Sequence, residues 1–158
     1  MGPMRDIWMR RAIELAVENV RAGKGGPFGA VIVQDGRILA EGANLVTSTN
    51  DPTAHAEIVA IREACRALGR FYLTGCEIYT SCEPCPMCLA AIYWVRLEKV
   101  FFGGTRADAA AAGFNDELIY HELATPLADR TLPIVQLMRD DALRAFEAWT
   151  QAEGRIDY

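Results

Sequence analysis

The residues able to do chemistry cluster in two short segments, His55-Ala56-Glu57 and Pro84-Cys85-Pro86-Met87-Cys88. Cys85 and Cys88 are spaced to share one helical face. Two thiolates so placed suit zinc, because sulfur is a soft ligand and the two negative charges neutralise the ion. His55 adds an imidazole from the start of another helix. Three protein ligands leave the fourth tetrahedral position open to water, the arrangement of a catalytic rather than a structural site. Glu57, two residues beyond the histidine, is then placed to act as the general base that takes and returns a proton.

Other readings of the same residues have specific requirements. A structural zinc would close its shell with four protein ligands, and Cys82 is available as the fourth. A bacterial iron-sulfur run needs another cysteine followed by proline after Cys88, and Ile92 occupies that place. A thioredoxin-like redox pair leaves His55 and Glu57 unused. A glutamate near a helix start is often no more than a favourable dipole partner. The five cysteines are odd in number and three of them crowd at 82, 85 and 88, which is a metal pattern before it is a disulfide pattern.

The elements that must position these groups follow from periodicity. Ile7, Ala12, Ile13, Ala16, Val17 and Val20 recur at helical spacing, and Gly23 to Gly26 ends that helix. Phe28–Gln34 and Arg37–Asn44 read as two strands joined at Asp35-Gly36, a two-residue hairpin signal. Thr47–Thr53 reads as a loop, and Pro52 is placed to start a helix over Ala54–Leu68 that holds His55 and Glu57 in its first turn. Cys76–Ser81 alternates as a strand, and Pro84 opens a helix through Trp94. Lys99–Phe102 and Ile134–Met138 are two further predicted strands, with helices over Asp116–Leu123 and Asp140–Ala152. Helices that link strands one by one predict an α/β fold, a three-layer α/β/α sandwich with a mixed five-stranded sheet, in a single domain spanning 1–158.

Composition narrows the function. The chain has 158 residues, 51% hydrophobic and 23% charged, with a net charge of −5. That acidic balance, with no basic run longer than Arg10-Arg11, disfavours a nucleic-acid partner. The longest apolar stretch, Leu89–Val95, is too short to span a bilayer, and no signal peptide is evident, so a cytoplasmic protein without membrane attachment is expected.

Histidine, any residue, glutamate, followed later by proline, cysteine, two residues and cysteine, is the signature of zinc deaminases that act on nucleobases. The sequence therefore resembles the cytidine deaminase-like superfamily. Within it, nearly the whole chain is similar to the bacterial guanine deaminases, through Gly25–Val33, Asn50–Glu57, Tyr79–Met87, Ala91–Trp94 and Ala112–Tyr120. The resemblance implies Zn2+ held by His55, Cys85 and Cys88, with Glu57 as proton shuttle in the hydrolysis of guanine to xanthine and ammonia. It implies that Asn44 hydrogen-bonds the base, where the alternative is a turn-capping asparagine, and that Asp116 accepts a ring N–H, where the alternative is a helix N-cap. Phe28 and Trp94 would offer stacking faces, unless they belong to the core. It also implies a homodimer whose C-terminal segment, about 140–158, is swapped, with Tyr158 of one chain closing the other's site. The rival functions are deamination of another amino-heterocycle such as cytosine or an aminotriazine, a tRNA adenosine deaminase, which would want a basic face, and a non-catalytic zinc-stabilised interaction module, whose mark would be loss of Glu57.

Overall fold

In a computed structural model that describes residues 3–158, the first helix, α1 (Pro3–Arg21), feeds a hairpin of β1 (Gly29–Gln34) and β2 (Arg37–Ala43). Asp35 and Gly36 both adopt positive φ, 49° and 75°, as a two-residue hairpin turn compatible with strand twist demands. A short helix α2 (Val46–Thr49) overlaps the start of the segment expected to be loop. Then follow α3 (Ala56–Leu68), β3 (Cys76–Cys82), α4 (Pro86–Trp94), β4 (Lys99–Gly104), α5 (Arg106–Ala111), α6 (Glu117–Ala124), a 3₁₀ turn (Leu127–Asp129) and α7 (Arg139–Gln151). The chain divides into two compact units, a first ending at Glu117 and a second, Leu118–Tyr158.

The sheet of the first unit runs β2-β1-β3-β4, with both β1 pairings antiparallel and β3–β4 parallel across the α4 crossover. β1 is central and buried on both faces, which accounts for its unbroken Ala30–Val33 run. Ala30, Ile32 and Ile78 meet Ala56, Ala60, Ile61 and Ala64 of α3 and Ile92 of α4 on one face. Val31, Val33 and Tyr79 meet Ala12, Trp8 and Leu15 of α1 on the other. The three-layer α/β/α sandwich is as expected, and the sheet is mixed.

It has four strands, not five. The predicted strand Ile134–Met138 is irregular chain in the second unit, with Val135 and Leu137 each 81% exposed. A short apolar run marks a chain that could lie in a sheet, but a strand exists only where its N–H and C=O groups bond a neighbouring strand, and among the described residues none pairs with this run. Two helix starts are also displaced. α3 begins at Ala56 and α4 at Pro86, so Pro52 and Pro84 precede their helices, and Pro86 takes the first helical position that proline favours.

Candidate active site

That displacement decides where the ligands sit. His55 and Cys85 are the N-cap residues of α3 and α4, both extended in backbone (φ −66°, ψ 156° and φ −65°, ψ 168°), and Cys88 lies in the first turn of α4. Two helix N-termini therefore converge, and their positive ends favour thiolates. Nδ1 of His55 lies 3.5 Å from Sγ of Cys85 and 3.4 Å from Sγ of Cys88, and the three ligand atoms lie within 4.8 Å of one another. Zinc bonds to sulfur of about 2.3 Å and to nitrogen of about 2.0–2.1 Å, meeting at a tetrahedral angle, put sulfur and nitrogen about 3.5 Å apart. The donor set and its spacing fit zinc. Cys82 is not part of the cluster. Its thiol faces the carbonyl of Thr105 at 3.7 Å, which leaves the four-ligand structural zinc without its proposed fourth cysteine.

The thiols are electrostatically unequal. The Cys85 thiol is brought down to about 4 by a hydrogen bond from Cys88 and, against the cost of burial, by His55. The same Cys85–Cys88 hydrogen bond, with burial, holds the Cys88 thiol up. His55 is raised by its Cys85 contact. Glu57 is 6% exposed, and burial pushes its carboxyl up while Cys88 and His55 pull it back. A buried carboxyl beside this cluster is able to hold a proton or release one.

Backbone anchors fix the loops that carry these groups. Asp51 accepts from the backbone N–H and hydroxyl of Thr53 (2.8 and 2.6 Å), and the His55 N–H donates to the Thr53 carbonyl at 2.8 Å. On the other side, the Glu83 N–H donates to Gly104 O at 2.8 Å and its carboxylate accepts from the Arg106 N–H at 3.0 Å. Gly42 of β2 faces α3, where a Cβ would stand 2.2 Å from the Ala56 carbonyl. That contact sets α3, and with it His55 and Glu57, directly on the sheet.

The remaining sequence-predicted residues fall in different places. Asn44 follows β2, is 6% exposed, and its Oδ1 accepts from the N–H groups of Gly26 and Val46, each at 3.2 Å. Phe28 precedes β1 and packs edge-on against Phe114, centroids 4.9 Å apart. Asp116 is half-buried before α6, and Asn115 rather than Asp116 caps that turn, accepting from Glu117 N–H at 2.9 Å. Trp94 ends α4 and is 67% exposed, so it is not core. Tyr158 is 74% exposed in the second unit, its ring 6.3 Å from Trp149. Sequence reasoning missed Asn19, which is 4% exposed on α1 and hydrogen-bonded to the Asn44 carbonyl at 2.7 Å. The available signal was its place on the stripe Ala12, Ala16, Asn19, a polar residue at a core position.

Comparison with known proteins agrees with this geometry. Residues 4–104 match the cytidine and deoxycytidylate deaminase zinc-binding region, and the chain belongs to that family of zinc-dependent deaminases. It is, more narrowly, a homologue of guanine deaminase. It is 53% identical to the guanine deaminase of Bacillus subtilis over 97% of this chain and 98% of that one. The X-ray structure of guanine deaminase from Bacillus subtilis superposes with a TM-score of 0.95 at 52% identity, covering 100% of this chain and 99% of the other. The tRNA-specific adenosine deaminase of Bacillus subtilis is a more distant relative, 38% identical over 74% of this chain and 72% of its own length. Among the described residues no helix is long and apolar enough to cross a membrane.

Proposed function

We propose that this chain hydrolyses guanine to xanthine and ammonia. The observation that carries the reading is the His55, Cys85 and Cys88 cluster beside the buried Glu57 carboxyl, in a chain similar to guanine deaminase along its whole length. Bound zinc supplies a Lewis acid that makes water a competent nucleophile near neutral pH. His55, Cys85 and Cys88 hold the ion. Glu57 takes a proton from water as its oxygen attacks C2 and gives it to the ring nitrogen. It then takes the second proton from the new C2 hydroxyl and gives it to the amino group, which leaves as ammonia as the C2 carbonyl forms. Its burial supports this role, since a carboxyl shielded from bulk water gives its proton to the substrate rather than to solvent.

For the base itself we assign Asn44 and Asp116 as hydrogen-bonding partners and Phe28 and Trp94 as stacking faces. Asn115 caps the turn before α6, which leaves the Asp116 carboxylate for a ring N–H. We assign the active form as a homodimer in which the segment about 140–158 is exchanged and Tyr158 of one chain closes the site of the other. The support is the exposure of apolar side chains in that unit, Leu137 at 81%, Phe146 at 67% and Ile156 at 67% among them, which a second copy would cover. The cytoplasm suits a site that needs reduced thiols, and all five cysteines are free.

The test is ammonia release from guanine, adenine, cytosine and a tRNA by wild type and Glu57→Gln. Guanine is expected to turn over fastest. The variant is expected to keep one zinc per chain while turnover falls by about two to four orders of magnitude. Faster release from tRNA than from guanine overturns the substrate, and near wild-type turnover by the variant overturns the role of Glu57.

A further inference from the structure

The apolar stripe of α1 carries one amide, Asn19, whose Nδ2 donates to the carbonyls of Gly26 at 3.0 Å and Asn44 at 2.7 Å. Gly26 returns its own N–H to Asn44 Oδ1, and Val46 N–H donates to the same oxygen. Backbone N–H groups can only donate, so the atom they meet must be the carboxamide oxygen, and the orientation of the Asn44 amide is fixed. Its Nδ2 makes no hydrogen bond among the described residues. The turn is tight enough to require glycine at 25, where a Cβ would lie 2.1 Å from the Asn44 carbonyl and 2.9 Å from Oδ1. Phe28 belongs to the same assembly, since Asn44 N–H donates to its carbonyl at 3.1 Å.

We propose that Asn19 is a positioning residue for the base site. It ties the Gly25-Gly26 turn to the end of β2 so that Asn44 spends its oxygen on the protein and offers only N–H donors outward. The substrate atom facing Asn44 is therefore an acceptor, a ring carbonyl oxygen or an unprotonated ring nitrogen. A ring that presents an amino group there sets N–H against N–H and is rejected. This inference rests on the assignment of Asn44 as a base contact.

A double-mutant cycle separates the two. Steady-state kinetics with guanine are measured for wild type, Asn19→Leu, Asn44→Ala and the pair, with zinc content and thermal unfolding followed in parallel. Asn19→Leu, close in size but without donors, is expected to raise KM about ten- to a hundredfold, to change kcat less than about threefold and to leave one zinc per chain. In the Asn44→Ala background the same substitution is expected to add less than about twofold, because Asn19 acts through Asn44. Equal losses in both backgrounds, or a loss confined to kcat or zinc content, overturn the proposal by making Asn19 a general structural residue. An unchanged KM in Asn19→Leu beside a large effect of Asn44→Ala overturns the proposal alone. No effect of Asn44→Ala overturns the base contact and the proposal with it. If Asn19→Leu does not fold, Asn19→Ser, which is too short to reach both carbonyls, is read in the same cycle against the same outcomes.

Discussion

Gly42→Ala tests whether α3, and with it two residues of the site, is set by its contact with the sheet. A Cβ on Gly42 would stand 2.2 Å from the Ala56 carbonyl, 2.6 Å from Ala60 N and 3.0 Å from Ala60 Cβ. Ordinary contact begins near 3.4 Å, so the start of α3 must withdraw by about 1.2 Å, a shift that falls on backbone and cannot be absorbed by a rotamer. Overpacking of this kind costs about 1–3 kcal/mol, which for a chain of this length lowers Tm by about 2–4 °C per kcal/mol. The same movement carries His55 and Glu57 away from Cys85 and Cys88. A misplacement near 1 Å costs about a hundredfold in turnover, and zinc affinity is expected to fall by about ten- to a hundredfold. The assays are thermal unfolding with zinc bound and competition for zinc by a chromogenic chelator. Gly36→Ala is the control. Its φ of 75° makes alanine strained while nothing lies within 4 Å, so it is expected to cost about 1–2 kcal/mol with zinc affinity unchanged. A Gly42→Ala protein with wild-type Tm and wild-type zinc affinity would refute the claim that this contact seats α3.

Removing zinc with a chelator is expected to abolish turnover and, because the three ligands join α3 to α4, to cost about 4 kcal/mol of stability relative to free zinc a thousandfold above Kd; re-addition restores both, and an unchanged melting curve would show that the cluster does not bind the ion. Deleting residues 152–158 should leave zinc content intact and depress guanine turnover at least tenfold, whereas full turnover by the truncated chain removes Tyr158 from the site. Arg11 grips Glu41 with two hydrogen bonds of 2.8 Å and holds its carboxyl below the usual 4.5. The folded state thus favours the ionised form, its stabilisation is present above that pH and is lost as pH falls through the lowered value. Glu41→Gln is accordingly expected to cost about 0.5–1 kcal/mol at pH 7, a cost that shrinks as pH falls below 4.5, as read by thermal unfolding across that range.

The sequence alone determined what depends on residue type and short spacing. The thiols, the imidazole and the carboxyl of the site could be named from two segments, because metal affinity is a property of donor atoms and their intervals. The Asp35-Gly36 hairpin and the helices α1, α3, α4 and α7 were legible for the same kind of reason, since positive φ and amphipathic periodicity are local. Tertiary structure decided what depends on partners distant in the chain. Ile134–Met138 was read as a strand but pairs with no other strand among the described residues, and pairing is a non-local fact. Cys82 has the chemistry of a ligand, yet its thiol turns to Thr105. His55 and Cys85 became the caps of converging helices only when the start of α3 was seated by Gly42 and the loop before α4 was anchored by Glu83. Asn19 went unread in the sequence, and its role emerged only when folding brought the carbonyls of Gly26 and Asn44 to its amide, because a buried polar group takes its meaning from the partners that satisfy it.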